Sequence, residues 1–273
     1  MLLERSGHRV VAAAGRAGSR ERVAHHLPSA KFFDAADAAR ASKQADVVII
    51  GASDDAIADV CSSLARSGGL HAGQRVVHLS GSVGLDALGS ALDAGAEAVS
   101  THPLQAFPTV ERGIERFPGS SMAVTARTDE GFSVGETLAA DAGGVPFRLT
   151  DDMKPLYHAA AVFCANYLVT VEAVAEELFR ICGLAEPVRL FAPLAAAVLD
   201  RTLTEGPANA LTGPAVRGDV GTLRRNLQAL AAHSPDTVPA YVELAHLALR
   251  LAAGGNIEPP DRARIEEELA RWK

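Results

Sequence analysis

Hydrophobic positions along this chain follow one style up to about residue 150 and another after it. In the first part, short apolar runs alternate with segments of helical periodicity. The run ADVVIIGAS (45–53) holds Val47, Val48, Ile49 and Ile50 in succession with no polar alternation, which predicts a strand buried on both faces. Similar runs are HRVVAAAG (8–15), AKFFD (30–34), QRVVHLSGS (74–82), EAVSTHPL (97–104) and SSMAVTA (120–126). Between them, 19–27, AADAARASKQA (35–45), DDAIADVCSSLARSG (54–68) and DALGSALDAG (86–95) read as helices. Strand alternating with helix at this pitch predicts a parallel sheet covered on both sides. From Asp151 onward strands all but vanish. MKPLYHAAAVFCANYLVTVEAVAEELFRICG (153–183) reads as one helix of nearly thirty residues ended by Gly183. Further helices are predicted at about 187–204, 207–216, 219–232, 237–253 and 259–272. The chain therefore divides into an α/β domain over 1–150 and an all-α domain over 151–273.

The opening MLLERSGHRVVAAAGRAGSRER has the order helix end, strand, basic turn, with Gly7 as the helix stop. In a doubly wound nucleotide-binding sheet that order comes second, after a first strand and its glycine loop. No G-x-G-x-x-G precedes residue 10, and the glycines of GRAGSR (15–20) have the wrong spacing. The expectation is that roughly twenty residues, a strand, the glycine loop and most of the first helix, are absent from the sequence. A late-placed start is preferred to a true loss as the cause.

Composition narrows the function classes. The chain has 273 residues, 48% hydrophobic and 22% charged, a globular balance. A net charge of −7 makes nucleic acid a poor partner. The longest apolar stretch, HAAAVFCANYLVTVEAV, is broken by Asn166, Thr170 and Glu172 and reads as a core helix rather than a membrane span. Cys61, Cys164 and Cys182 are scattered through apolar helical contexts. They read as reduced core residues of a cytoplasmic protein, with no metal site and no disulfide framework.

The basic turn carries the first chemical signal. The second strand of a dinucleotide fold ends beside the adenosine ribose, where an acid selects NAD and arginine selects NADP. Here the strand tip offers Gly15, Arg16, Ser19, Arg20 and Arg22, a donor set suited to a 2′-phosphate. Ordinary surface arginines are the alternative, although a helix N-terminus disfavours cations. Ala52, Ser53 and Asp54 lie at the carboxyl end of the strongest strand, where open α/β sheets bind ligands; simple helix capping is the competing reading for Ser53 and Asp54. Ser80 and Gly81, with Ser82, end the next strand, and glycine there admits close approach of a ring.

VVIIGASDDAIADV, VVHLSGSVGLDAL, STHPLQAFP, KPLYHAAAVFCANYLVTVEAV and LTGPAVRGDVGTLRRNL occur in this order along the chain. Together they closely resemble a bacterial family that joins a Rossmann-like NADP-binding domain to a helical C-terminal domain of unknown function. That family lies within the 6-phosphogluconate-dehydrogenase-like group, alongside pyrroline-5-carboxylate reductase, ketopantoate reductase, hydroxyisobutyrate dehydrogenase and prephenate dehydrogenase. The resemblance runs from about Gly7 to about Leu251, and its one large departure is the absent glycine loop. It implies an NADP(H)-dependent oxidoreductase acting on CH–OH or CH–NH groups of a small polar, carboxylate-bearing substrate. The alternatives are a catalytically silent NADP-binding sensor or scaffold, or an inactive truncated chain. The helical domain is expected to bind substrate and, as in relatives, to form a homodimer.

The resemblance to prephenate dehydrogenases places His102 and Pro103 beside the substrate, where an imidazole can donate to a reacting oxygen. Gln105 is read as substrate-facing. Lys154 and His158 stand one helical turn apart, with Asn166 two turns beyond. They are similar to the lysine and helical asparagine of hydroxyisobutyrate dehydrogenases, at a different spacing. Lys154, His102 and His158 are thus the catalytic candidates, against a solvated first-turn lysine and a turn histidine. Asn166, as an amide in an apolar helix, should need buried partners, from a ligand or from neighbouring helices. Gly213 and Arg217 of LTGPAVRGD can present backbone N–H groups and charge to an anion, or form a helix connection with an Arg217–Asp219 contact.

Overall fold

A computed structural model describes residues 1–252 and 257–272. The elements run α1 (Leu2–Arg5), β1 (Ala12–Gly15), α2 (Arg20–His26), β2 (Lys31–Asp34), α3 (Ala38–Ser42) and β3 (Val47–Ile50). Next come α4 (Ile57–Arg66), β4 (Arg75–His78), α5 (Gly89–Asp93), β5 (Glu97–Pro103), α6 (Val110–Arg116), β6 (Ser121–Ala126), α7 (Asp129–Asp141) and β7 (Val145–Arg148). The rest is helical: α8 (Lys154–Val162), α9 (Leu168–Ile181), α10 (Pro187–Glu205), α11 (Pro207–Ala210), α12 (Val220–His233), α13 (Val238–Leu251) and α14 (Pro259–Ala270). Two compact units result, Met1–Ala165 and Asn166–Lys273, so α8 belongs with the sheet.

The first unit is Rossmann-like. Its sheet is in two pieces, β1–β2 and β3–β4–β5–β6–β7. β1 and β3 each keep one edge without a ladder partner. The second face of the Val-Val-Ile-Ile strand is accordingly not covered throughout: Ile49 is 46% exposed while Ile50 is buried. The expected all-parallel order holds except at one place, because β5 and β6 pair antiparallel. A parallel neighbour requires a crossover to the other end of the sheet. The segment after β5 instead folds back through the short α6, and the crossover comes later, when α7 carries the chain from β6 to a parallel β7.

Val48, Ile50, Val76, Ile57, Cys61 and Leu64 bury one sheet face under α4 and α5, and Val77 and Val99 pack with Leu138 of α7 on the other. α7 and β7 had no clear sequence signal. Gly131 and Gly135 weaken helix propensity in α7, yet a Cβ at Gly135 would strike Val124, so the glycine sets how closely α7 lies on β6. Pro146 argues against a strand, but β7 is the sheet edge, where a missing N–H is tolerated.

In the second unit, Leu223, Leu227, Val242, Leu249, Ile265 and Leu269 of α12–α14 form the core. The predicted helix 207–216 shortens to α11, because Gly213 adopts φ 124° and LTGPAV becomes a turn. Residue 253, the predicted end of α13, lies outside the described residues.

The segment read as a single core helix departs from expectation twice. Phe163–Tyr167 is a π-helical turn between α8 and α9, and of the span Asp151–Ile181 only Lys154 is buried. It is 31 residues long with a mean hydropathy of 1.4 over its most apolar window, and none of that window is buried. Among the described residues it is the one helix long and apolar enough, by length and composition, to cross a membrane. Asn166 is exposed, not buried, and its carbonyl, released by the π turn, accepts the Thr170 hydroxyl at 3.0 Å. Cys164 and Cys182 are likewise exposed, and only Cys61 is a core cysteine.

Candidate functional site

The carboxyl ends of β3, β4 and β5 bring most of the first-unit candidates together. At the end of β4, Ser80 Oγ accepts the N–H groups of Ser82 (3.2 Å) and Val83 (3.0 Å) and so closes the turn on itself. Ser82 Oγ donates to Asp54 Oδ2 at 2.7 Å, tying the β4 turn to the residue after β3. Burial raises the Asp54 carboxyl, but the bonds from Ser82 and Ser80, with His158 and His78 nearby, outweigh it and hold the acid below its usual range. Helix capping is not what Asp54 does, and the Ser53 side chain makes no capping bond either.

α8 enters this turn from the other side. Asp151 accepts Leu85 N–H on both carboxylate oxygens, at 3.0 and 3.2 Å. The first residue of α8 then buries completely: Lys154 is 1% exposed, which removes the solvated-lysine reading. Its Nζ donates to Ser80 O (2.9 Å) and Ser100 Oγ (2.7 Å), and Ser100 Oγ donates to Ser80 O in turn (3.3 Å). A cation is thereby fixed between the ends of β4 and β5. Burial, only partly opposed by Asp151 and Asp54, pulls the ammonium down to about 8.

Two imidazoles face this cation. His78, fully buried on β4, accepts Ser80 N–H at Nδ1 (3.2 Å), so its neutral ring carries the proton on Nε2, which has no hydrogen-bond partner. Burial, and then the Lys154 charge, lower it to about 4. His102, on β5, is half-buried. Its Nδ1 lies 3.0 Å from the Tyr157 hydroxyl, and the rings meet edge to face at 5.5 Å. Burial first, then Lys154 and His158, bring it to about 4. His158 approaches the same ring at 6.2 Å, and its Nδ1 is buried without a partner. Room for His102 is made by Gly81: a Cβ there would stand 2.9 Å from Cε1 and Nε2 of the ring. Pro103 follows at the end of β5.

Other candidates lie elsewhere or are already engaged. Gln105 donates to Ser120 Oγ (3.1 Å) and accepts Ala106 N–H (2.9 Å), which spends its amide on its own loop. At the tip of β1, Arg20 pairs with Asp34 at 3.0 Å and lies over Phe32, 4.5 Å from the ring centre, while Arg22 reaches Ser19 Oγ at 3.4 Å. The Arg16 carbonyl accepts Ser19 N–H at 2.8 Å, while among the described residues its guanidinium makes no hydrogen bond or ion pair, and a Cβ at Gly15 would stand 3.3 Å from Ser19. Ala52 is half-buried beside the β3 turn. Asn166, Gly213 and Arg217 belong to the second unit, where Asp219 caps α12 through Thr222 N–H (3.0 Å) rather than serving Arg217 alone. A concavity of about 780 Å³ between the end of α9 and the start of α10 is lined by Arg180, Glu176, Arg189 and Glu186, whose charges pair among themselves.

Sequence reasoning missed Asp151 as a clamp, and with it His78, Ser100 and Tyr157. His78 and Ser100 stood out only as polar residues at the ends of apolar strands. Tyr157, at i+3 from Lys154, shares its helix face and was the more findable signal.

Buried, interlocked polar side chains at the carboxyl ends of a Rossmann-like sheet, followed by a helical unit, define the class by fold. Residues 1–103 match the Rossmann-like domain and residues 120–248 match DUF2520, a domain of unknown function. Three solved structures share the fold. The Thermotoga maritima protein TM1727 is 22% identical with a TM-score of 0.69, over 88% of this chain and 90% of its own. The Bacteroides fragilis protein BF3122 is 22% identical with a TM-score of 0.70, over 90% and 91%. An imine reductase from Myxococcus stipitatus in complex with NADP+ is 16% identical with a TM-score of 0.61, over 99% and 94%. No curated protein matches the chain.

Proposed function

We propose that this protein is an NADP(H)-dependent oxidoreductase that moves hydride to or from a small polar, carboxylate-bearing substrate at a C–O or C–N carbon. The observation that carries the reading is the convergence of Asp54, Ser80–Ser82 and His102 on the ligand-binding end of a Rossmann-like sheet, with a buried Lys154 behind them. The NADP+ complex of the Myxococcus stipitatus imine reductase, which shares this fold, supports the coenzyme assignment.

The residues present fit such a group at one end. Among the described residues the Arg16 guanidinium has no partner, the Ser19 hydroxyl accepts Arg22 at 3.4 Å, and Arg20 can exchange Asp34 for a phosphate. Gly15, Ala52 and Ser53 line the strand ends nearby, and a Cβ at Gly51 would meet nothing within 4 Å. When bound, the coenzyme supplies the hydride.

The chain's own residues then divide the work. Ser80, Gly81 and Ser82 form the floor, held shut by the Ser80 hydroxyl and by Asp54. His102, neutral at pH 7, donates a hydrogen bond to the reacting oxygen or nitrogen, with Pro103 shaping the loop. Lys154 adds to burial in keeping His102 neutral, and it holds Ser80 O and Ser100 Oγ. His158 completes the wall beside His102. In the helical domain Asn166, Gly213 and Arg217 are assigned to the substrate's polar groups.

The same domain is proposed to form a homodimer. Leu190, Leu194 and Val198 of α10 are 53%, 67% and 52% exposed and recur every four residues. Glu172, Glu176 and Glu177 on α9 favour a protein partner over lipid tails. Activity is tested by following NADPH oxidation against a panel of keto acids and cyclic imines. The expected result is turnover of one class, abolished in His102→Ala. A His102→Ala variant with the wild-type rate removes that residue from the reaction.

A further inference from the structure

His102 stands in a narrow slot. One ring edge meets Gly81, where no side chain fits. The other nitrogen, Nδ1, meets the hydroxyl of Tyr157, whose phenol ring is braced from its far side by Phe147 of β7 at 5.9 Å. Tyr157 therefore joins β5, α8 and β7 around a single imidazole.

Proton placement in the Tyr157–His102 contact follows from acid–base matching. A phenol O–H is a better donor than a neutral imidazole N–H, and an imidazole nitrogen is a better acceptor than a phenol oxygen. We propose that Tyr157 is the positioning residue of His102: its hydroxyl donates to Nδ1, fixes the ring proton on Nε2 and holds the ring against Gly81.

The electrostatics agree. Lys154, His158 and Tyr157 of α8 and Asp54 beyond β3 are the titratable groups facing the ring. Burial with the Lys154 charge keeps it neutral at pH 7, and burial also pushes the Tyr157 phenol up, so the hydroxyl keeps its proton to donate. The assignment gives His102 a single uncharged N–H to offer. That this N–H serves a substrate rests on the oxidoreductase reading; the tautomer itself does not.

The test is long-range proton–nitrogen NMR on the full chain with labelled histidine, the His102 signals being assigned by loss in His102→Asn. At pH 7 the expected spectrum shows a protonated Nε2 and a bare, hydrogen-bonded Nδ1. In Tyr157→Phe the Nδ1 signal should move to that of a free acceptor, and the titration midpoint should rise by roughly half to one pH unit, the size of one lost hydrogen bond. His78, with Nδ1 held by Ser80 N–H, is the internal control and should not change. A proton on Nδ1 in the wild type overturns the proposal, as does a Tyr157→Phe variant with unchanged Nδ1 shift and midpoint. Should that variant fail to fold, the wild-type spectrum alone decides. NADPH calorimetry on the same sample separates the two claims, since loss of coenzyme binding would sink the oxidoreductase reading and leave the tautomer standing.

Discussion

The strand ends of the first unit and the helices α9 and α10 of the second invert the usual distribution of polarity. At the strand ends a lysine, two serines and a histidine are buried and nearly all hydrogen-bonded. On α9 and α10 large apolar side chains face outward, with Val169 at 69% and Leu203 at 77% exposure. Burying a cation is costly unless its bonds are made, so a site like that of Lys154 persists only where neighbouring groups complete it. Exposed leucines in helical register are the opposite case, apolar surface that their own unit leaves uncovered. One region is finished by its own contacts, and the other is not.

The largest expected effect concerns the second region. Leu194→Glu with Val198→Glu should weaken self-association at least about a hundredfold, seen by light scattering, because charges would enter the centre of a dimer face. A wild-type chain that is monomeric at high concentration would break the comparison outright. Next comes Lys154→Ala, which leaves Ser80 O and Ser100 Oγ without their donor and opens a void. It should cost about 3 kcal/mol by urea unfolding. Leu203→Ser, at the exposed end of α10, should change stability by less than about 0.5 kcal/mol.

Acid provides the third contrast. His78 and His102 have folded-state values of about 4 against an ordinary 6.5, so as pH falls the unfolded chain takes up these protons first. Stability is therefore present above 6.5 and is lost between 6.5 and 4, by on the order of 3 kcal/mol for fully buried His78 and less for half-buried His102. His78→Gln should flatten that slope in a pH series of urea midpoints. A smaller effect than that of Lys154→Ala is expected from Gly81→Ala. Its new methyl displaces the His102 ring at a cost of about 1–2 kcal/mol, with loss of the Tyr157 bond in the NMR spectrum.

Much of this was legible in the sequence where pattern and chemistry coincide. The Val-Val-Ile-Ile strand, the strand-end serines and the change from strands to helices follow from periodicity and turn residues alone. What escaped is instructive. β7 contains a proline that only an edge strand accepts, and α7 contains glycines that only close packing on β6 explains. The long apolar helix looked like a core element because periodicity reports which face is apolar, not what covers it. At the site, Lys154 and His102 were found as residue types, but the buried cation of Lys154 depends on Ser80 and Ser100, and the neutral ring of His102 on its burial and on that cation, all contacts far apart in sequence. Gln105 looked available and is not, since nothing in HPLQAF shows that Ser120 will take its amide.

The central claim is that the strand-end site serves an NADP(H) coenzyme. Calorimetric titration of this chain with NADPH and NADH tests it most directly. The account predicts NADPH binding at least about tenfold tighter than NADH, with the preference erased by Arg16→Ala. Heats indistinguishable from dilution for both coenzymes at millimolar concentration would contradict it.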